Sequence, residues 1–260
     1  ISNVTFRGYN WNGSAWTGDD RSLHYFENGK AGPLGIERGL LLATGPALSA
    51  EGPNNASGEM GDGTFLGPDP DLGTIIPSSD IMSGSILEFD FVPYTDKATF
   101  DFVFASEEYG DYSNDPSVND VFGFFVSKVG VPGTTNIARF PNDSVVSISN
   151  SNWGNQNPEG SSDYSSANKP DTTGYAAAHA IAPPGQRLPD QSPIAVDPQW
   201  HKPNYTDGGA YMEYDGQTVV LTAVARNLTR GERYHLKLAI CNKGDNNFGS
   251  GVFLANLDLG

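Results

Sequence analysis

The sequence predicts an all-β protein, an antiparallel β-sandwich or jelly roll of about ten strands, built as one domain over residues 1–260. Short runs in which apolar and polar residues alternate recur along the chain, as they do in half-buried strands. Gly, Pro, Asn and Asp bound these runs, whereas apolar residues at helical spacing are nearly absent. A chain of 260 residues is also long enough to bury a sizeable core without disulfides.

The alternating runs define the predicted strands, of which the fourth is the clearest. Successive side chains on a strand point to opposite faces, so Phe100, Phe102 and Phe104 share one face. Three aromatic rings on one face predict that this face lies in the core rather than presenting a sugar-binding surface. The predicted strands cover residues 2–9, 39–45, 85–93, 98–106, 120–127, 144–149, 209–214, 217–226, 233–241 and 251–259.

Residues 151–208 differ in kind from the rest of the chain. They are rich in Pro, Gly, Ser and Asn and show almost no alternation. So long an irregular segment in a compact domain is typical of an insertion with its own role or of a surface wrap. Its Trp and Tyr residues favour docking on the sandwich or on a neighbour over full disorder.

The net charge of the chain and its first residue indicate which partners and which location to expect. The formal charge of −16 argues against nucleic acid, whose phosphates attract a basic surface, and against attraction to anionic lipid. No run approaches the roughly 18 consecutive apolar residues of a membrane span, so no membrane insertion is expected. The chain begins at Ile1 rather than at Met, which predicts a processed, secreted protein.

Six N-glycosylation sequons mildly favour an extracellular location, although enrichment in Asn, Ser and Thr also accounts for them. If the cell glycosylates this chain, the modified residues are predicted among these six. The sequons begin at Asn3, Asn12, Asn55, Asn142, Asn204 and Asn227.

The residues that usually carry catalysis are missing or scattered. The chain has no Gly-x-Ser-x-Gly elbow, no Gly-x-x-x-x-Gly-Lys phosphate loop and no His-Glu-x-x-His zinc motif. Cys241 lies in an apolar run that predicts a buried, inert thiol. Glu107 and Glu108 point to opposite faces of a regular strand, so they form a glycosidase pair only across a bulge, and a pairing with Asp120 stays open. We therefore expect a protein that is not an enzyme.

An acidic segment joins two of the predicted strands. Residues 106–120 read SEEYGDYSNDPSVND and offer carboxylate, amide and backbone oxygens, the ligands that calcium prefers. Asp111, Ser113 and Asp115 have the spacing of the first ligands of an EF-hand, but Pro116 stands where that loop needs glycine. The segment therefore predicts a calcium site of another kind, and the alternative is that its acids are ordinary solvated loop residues.

Several motifs resemble the choice-of-anchor L domain family. FDFVFASEEYGDYSNDPSVNDVFGFFVS, residues 100–127, is similar to its signature, in which a Phe-rich strand runs into Ser-Glu-Glu-Tyr and then Asn-Asp-x-Phe-x-Phe-Phe. The other matching segments follow in the family's order. They are residues 1–8, 35–45, 136–152 and 214–254.

This resemblance implies an extracellular domain of bacterial or archaeal surface proteins, without an established catalytic activity. The family's ending reads roughly Asp-x-x-Asp-x-x-Tyr-Asp-Ser-x-Val-Phe. Here Asp245 and Ser250 are kept, whereas Asn242 and Gly249 replace two acids. The neutral replacements weaken a metal site that draws on this loop, although Asn242 still supplies an oxygen.

The sequence as a whole predicts a non-catalytic extracellular protein with a structural or adhesive role, stabilised by Ca²⁺. Within that role the chain is either an adhesin or binding module or a subunit of a surface filament that associates through its terminal strands. The alternative is a calcium-dependent carbohydrate-binding module that recognises surface glycans through Trp11, Trp16, Trp153 and Trp200. If both glutamates bind one ion, the strand before them must end or bulge at Ser106. The predicted ligands are Glu107, Glu108, Asn119, Asp120 and Asp245.

Overall fold

The computed structural model confirms the all-β sandwich: two antiparallel sheets pack face to face. It describes residues 1–8, 21–32, 34–54, 65–109, 117–141, 143–151, 201–203 and 212–260. Helical structure in this part of the chain is limited to the four-residue α1 (Ile148–Ser151) and four 3₁₀ turns, Gly29–Ala31, Ala47–Ala50, Leu72–Thr74 and Ser78–Asp80. The strands are β1 (Ser2–Arg7), β2 (Leu23–Phe26), β3 (Gly39–Ala43), β4 (Ile81–Phe91), β5 (Lys97–Ser106), β6 (Val121–Lys128), β7 (Thr135–Asn136), β8 (Val146–Ser147), β9 (His201–Pro203), β10 (Gly216–Thr218), β11 (Leu221–Arg226), β12 (Tyr234–Lys243) and β13 (Ser250–Asp258).

The two sheets are each organised around one of the last two strands. Sheet 1 has the order β1-β4-β12-β6-β7, with β8 also paired to β6. Sheet 2 has the order β2-β3-β13-β5-β10-β9, with β11 also paired to β5. Thus β12 lies between β4 and β6, while β13 lies between β3 and β5. The last two strands therefore supply one central strand to each sheet.

The core between the sheets is aromatic, as the alternation of the fourth predicted strand indicates. Phe100, Phe102 and Phe104 all face it from β5. The Phe100 ring lies 5.1 Å from the ring of Phe124 and the Phe102 ring 5.4 Å from that of Phe122, centroid to centroid. Such edge-on and tilted contacts add to the free energy gained by burying the rings.

The outer faces of both sheets are also covered. On sheet 2, Val103 and Ala105 pack with Leu34 and Met212. On sheet 1, Phe125 and Cys241 belong to an apolar cluster with Leu72 and Ile76, from the segment before β4. Cys241 is fully buried, which confirms the predicted inert thiol, and burial raises its pKa well above the usual value.

The predicted strand boundaries are wrong in several places. The run 217–226 is split into β10 and β11, and 144–149 contributes only the two residues of β8 before α1 begins. Within the predicted strand 209–214, Met212 makes only an isolated bridge to Glu51, while residues 209–211 lie outside the described residues. Strands β2 and β7 were not predicted, because two to four residues are too few to show a period.

The predicted insertion, residues 151–208, falls mostly outside the described residues. Its described part includes β9, which pairs with β10 at the edge of sheet 2, so this part is a strand rather than irregular chain. Within the described ranges, no helix is both long and apolar enough to cross a membrane.

Candidate metal centre

Four strand ends meet at one end of the sandwich. β5 ends at Ser106, which pairs with Ser250 at the start of β13. Val121 at the start of β6 pairs with Cys241 near the end of β12. Because neighbouring strands are antiparallel, the residues just beyond these positions lie together at this end.

The strand before the two glutamates ends where the calcium prediction requires. Ser106 is the last residue of β5, and a turn follows it. The Glu107 N–H donates to the Gly249 carbonyl at 3.0 Å, and the Glu108 N–H donates to Ser106 Oγ at 3.0 Å. The chain therefore leaves the regular strand, and the two glutamates are no longer constrained to opposite faces of the sheet.

The acids at this end are buried. Exposed fractions are 2% for Glu107, 1% for Glu108 and 0% for Asp120. The alternative that they are solvated loop residues is therefore wrong for these three. Buried carboxylates are costly unless they are protonated, hydrogen-bonded or paired with a cation.

Four polar residues continue the inward faces of the core strands and form what we call the polar end layer. In the aromatic core, Phe104, Phe122, Ile240 and Val252 face inward. The residue two positions further towards this end of each strand shares that face. The polar end layer consists of Ser106, Asp120, Asn242 and Ser250, all buried.

Asp120 is the charged member of this layer. Its Oδ2 accepts a hydrogen bond from Ser250 Oγ at 2.6 Å, and its Oδ1 accepts one from the Lys243 N–H at 3.0 Å. Burial raises the pKa of Asp120 to about 8, and the nearby Asp245 adds to the rise, although both hydrogen bonds oppose it. The layer therefore favours either a proton or a cation at Asp120.

Asn242 adds a side-chain amide oxygen to the polar end layer. Its Nδ2 donates to the carbonyls of Asn247 and Phe248, at 3.0 and 3.3 Å. Its Oδ1 is buried and has no hydrogen-bond partner among the described residues, and the same holds for Ser83 Oγ on β4. The neutral Asn242 thus offers an oxygen that could bind a metal ion. Nothing in the sequence indicated Ser83 as a candidate ligand.

Further buried acids lie at the same end of the sandwich as Glu107, and sequence reasoning missed them. Tyr214 is fully buried, and burial followed by the charges of Glu107 and Asp120 raises its pKa. Asp215 is buried and accepts a hydrogen bond from Asn54 Nδ2 at 2.8 Å. Glu213 is also buried. These residues precede β10, whose Gly216 pairs with Ser106, so they lie at the same end.

The remaining predicted ligands lie at the rim. Asn119 and Asp245 are half-buried, and Asp245 Oδ1 accepts a hydrogen bond from the Asn247 N–H at 2.9 Å. Across the described residues, no three carboxylate, imidazole or thiolate groups form a cluster that could hold a metal ion. Asp111 and Asp115 lie outside those residues. The calcium site thus stays a prediction, supported by burial and not by an assembled cluster of acids.

The short acidic segment 69–73 contacts a lysine on the outer face of sheet 1. Asp69 and Asp71 contact the ammonium of Lys237. Lys237 lies on β12, on the outer face of sheet 1.

Several other predicted positions can be placed only in part. Asn3 and Asn227 are exposed, and Asn3 Nδ2 donates to Asp90 at 2.7 Å. The sequons at Asn12, Asn55, Asn142 and Asn204 lie outside the described residues. So do the four tryptophans proposed to stack on glycans.

Comparison with known proteins places the whole chain in one family. Searches of curated proteins and of solved structures find no match. The family model for the choice-of-anchor L domain matches residues 1–258, and the chain belongs to this family of extracellular and cell-surface domains.

Proposed function

We propose that this protein is a non-catalytic structural or adhesive component of the cell surface whose sandwich is stabilised by calcium at the polar end layer. Membership of a family of surface domains, which is not a known enzyme family, supports the first part. The burial of Glu107, Glu108 and Asp120 at one end of the sandwich supports the second. This burial is the observation that carries the proposal.

The charge balance at this end favours a cation. Glu213 and Asp215 add two buried carboxylates to the three already described. One neighbouring base is Lys243, whose Nζ lies 3.8 Å from Asp80 and 3.5 Å from the Ser117 carbonyl. Burying several like charges costs several kcal/mol per ion unless a counter-charge is present. A divalent cation would relieve both the repulsion and the desolvation.

The available oxygens suit calcium better than a softer metal. Calcium takes six to eight oxygen ligands in flexible geometry, and carboxylates, an amide and backbone carbonyls are present here. Asn242 Oδ1 would complete its hydrogen bonding by binding the ion. Asn119 and Asp245 would contribute from the rim. The proposed ligands are Glu107, Glu108, Asn119, Asp120, Asn242 and Asp245.

Thermal melting tests the calcium site. Chelator-treated protein should melt at a higher temperature as calcium is added, because a ligand that binds only the folded state stabilises it. At about 100 times the dissociation constant the gain is about 2.7 kcal/mol, or roughly 5–10 °C for a domain of this size. Melting is followed by circular dichroism across a calcium titration, with magnesium as a parallel series.

A double variant and a matched control assign the effect to this site. Glu107→Gln with Glu108→Gln should abolish most of the calcium-dependent rise. Glu88→Gln makes the same change on the outer face of sheet 1, where Glu88 lies 3.5 Å from His235, and should leave the rise intact. An unchanged melting temperature at millimolar calcium in the parent protein would rule out the site.

Self-association into filaments is supported by one feature of sheet 1. Of the two terminal strands, β13 is paired on both sides, whereas β1 is an edge strand of sheet 1 in the part of the chain that the structure describes. Ile1 and Val4 are exposed on it. An exposed edge strand is a template for strand addition, so we propose that β1 joins the sheets of neighbouring copies.

Electron microscopy tests this arrangement. Purified protein at increasing concentration should form regular fibres. Val4→Pro should prevent them, because proline removes a backbone donor and is poorly tolerated between paired strands, whereas Val4→Ala keeps that donor and should leave the fibres intact. Monomers at every concentration would exclude self-assembly and favour an adhesive or binding role.

A further inference from the structure

A buried lysine on sheet 1 faces a carboxyl group at reacting distance. Lys237 Nζ lies 2.7 Å from Oδ1 and 2.6 Å from Oδ2 of Asp69, and 2.9 Å from Oδ2 of Asp71. Because it is almost equally distant from both oxygens of Asp69, the nitrogen lies close to the carboxyl carbon between them. Holding the two groups this close removes much of the entropic cost of a reaction between them, once the nitrogen lies over the face of that carbon.

The two groups of this pair are themselves shielded from solvent, while Arg7 and Asp71 beside them are partly exposed. Lys237 and Asp69 are only 4% and 2% exposed. Phe125 pairs with Lys237 across β6 and β12, and with Leu72 it belongs to the apolar cluster on this face. A low-dielectric site reduces the stability of separate charges relative to neutral species, and it limits the return of water to a bond formed there.

Donors are arranged around the Asp69 carboxyl as they would be for acyl transfer. The N–H groups of Asp71 and Leu72 each donate to Oδ1 at 3.1 Å. Arg7 Nη2 donates to Oδ2 at 3.3 Å. Two backbone N–H groups aimed at one oxygen would stabilise negative charge that develops there during attack on the carbon. Arg7 is placed beside the other oxygen, which would leave.

We propose that Lys237 and Asp69 condense to an intramolecular amide bond, with Asp71 as the proton shuttle. First the ammonium passes a proton to the Asp69 carboxylate, which gives a neutral amine and a carboxylic acid. The Nζ then attacks Cγ, and Asp71 takes a proton from the nitrogen and delivers it to the departing hydroxyl. One C–N bond forms, one C–O bond breaks, and one water leaves without any oxidant or cofactor.

The first proton transfer is the demanding step. Burial raises the pKa of Asp69, but the hydrogen bonds from Lys237 and the Leu72 N–H outweigh it and leave that pKa below the usual 3.8. The pair thus begins as an ion pair, and the reaction is expected to be slow and to complete after folding. This proposal does not depend on the calcium site.

The bond would tie distant parts of the chain together. Asp69 precedes the 3₁₀ turn Leu72–Thr74, whereas Lys237 lies in the middle of β12, 168 residues away. With Cys241 as its one cysteine the chain forms no internal disulfide. A link across so long a loop restricts the unfolded chain strongly, as a disulfide does.

Intact mass under denaturing conditions is the decisive measurement. The parent chain should weigh about 18 Da less than its sequence, the mass of one water, and digestion should yield a branched peptide that joins Asp69 to Lys237. Lys237→Arg keeps the charge but should show the full mass. Glu88 pairs with Lys237 across β4 and β12, and the Glu88→Gln variant should still weigh about 18 Da less than its sequence.

The rate of mass loss in Asp71 variants tests the role of this residue separately. Asp71→Asn should slow the mass loss at least tenfold after refolding, and Asp71→Glu, which restores a carboxylate, should recover it. Amide formation at the parent rate in Asp71→Asn would remove the shuttle from the proposal. Full mass in the parent chain after prolonged incubation, with no branched peptide, would reduce the contact to an ion pair and overturn the proposal.

Discussion

The calcium-free protein is expected to lose stability as the pH rises from 3.8 to about 8, and Asp120→Asn is expected to remove that loss. The pKa of Asp120 is raised in the folded state, so over this range the native protein holds a proton that the unfolded chain has released. Stability then falls with pH. The contribution is fully present below 3.8 and disappears as the pH passes about 8.

Chemical denaturation in the presence of a chelator measures this dependence. Unfolding midpoints across the range should decline for the parent protein and decline much less for Asp120→Asn. Asp143→Asn, which changes an exposed carboxylate in a turn, serves as the control and should follow the parent. Added calcium should flatten the parent curve, because the ion binds the ionised carboxylate. Stability that is constant or rising in the chelated parent would contradict the prediction.

Phe102→Ala is expected to destabilise the protein by about 4 kcal/mol, within the usual range of 3–5 kcal/mol for a buried phenylalanine. Phe102 is fully buried and lies at the centre of the aromatic core, where its ring meets that of Phe122. Removing the ring loses its transfer free energy and leaves a cavity that neighbouring strands cannot close. Urea denaturation should show a lower midpoint with an unchanged slope.

Tyr94→Ala is the matched control for this substitution. Tyr94 is 69% exposed in the turn between β4 and β5, so its loss should change the free energy of unfolding by less than about 0.5 kcal/mol. A cost for Phe102→Ala below about 1 kcal/mol would mean that the core between the sheets is not closely packed.

The parts of the fold that were predictable are those in which a local pattern decides burial. The Phe100, Phe102 and Phe104 face follows from the two-residue period of a strand, and the structure confirms it. Buried Cys241 follows from its apolar neighbours. The end of β5 at Ser106 was stated only as a condition for calcium binding, since the run 98–106 alone does not show whether the strand continues.

The parts that were not predictable depend on distant neighbours. Asp215 is buried, and Asn54, which donates a hydrogen bond to it, lies 161 residues away in the sequence. Lys237 reads as an exposed cation in the alternating run 233–241, but the segment before β4 covers that face of sheet 1. Edge strands such as β2 and β9 depend on their partners rather than on their own pattern.

The central positions of β12 and β13 have a consequence for when the domain can fold. β12 fills the middle of sheet 1 and β13 the middle of sheet 2, so neither sheet can close until residues 234–258 have been made. A partly made chain that ends before residue 234 lacks the central strand of both sheets, and contacts so distant in sequence form late. We therefore expect this domain to fold only after residues 234–258 have been made.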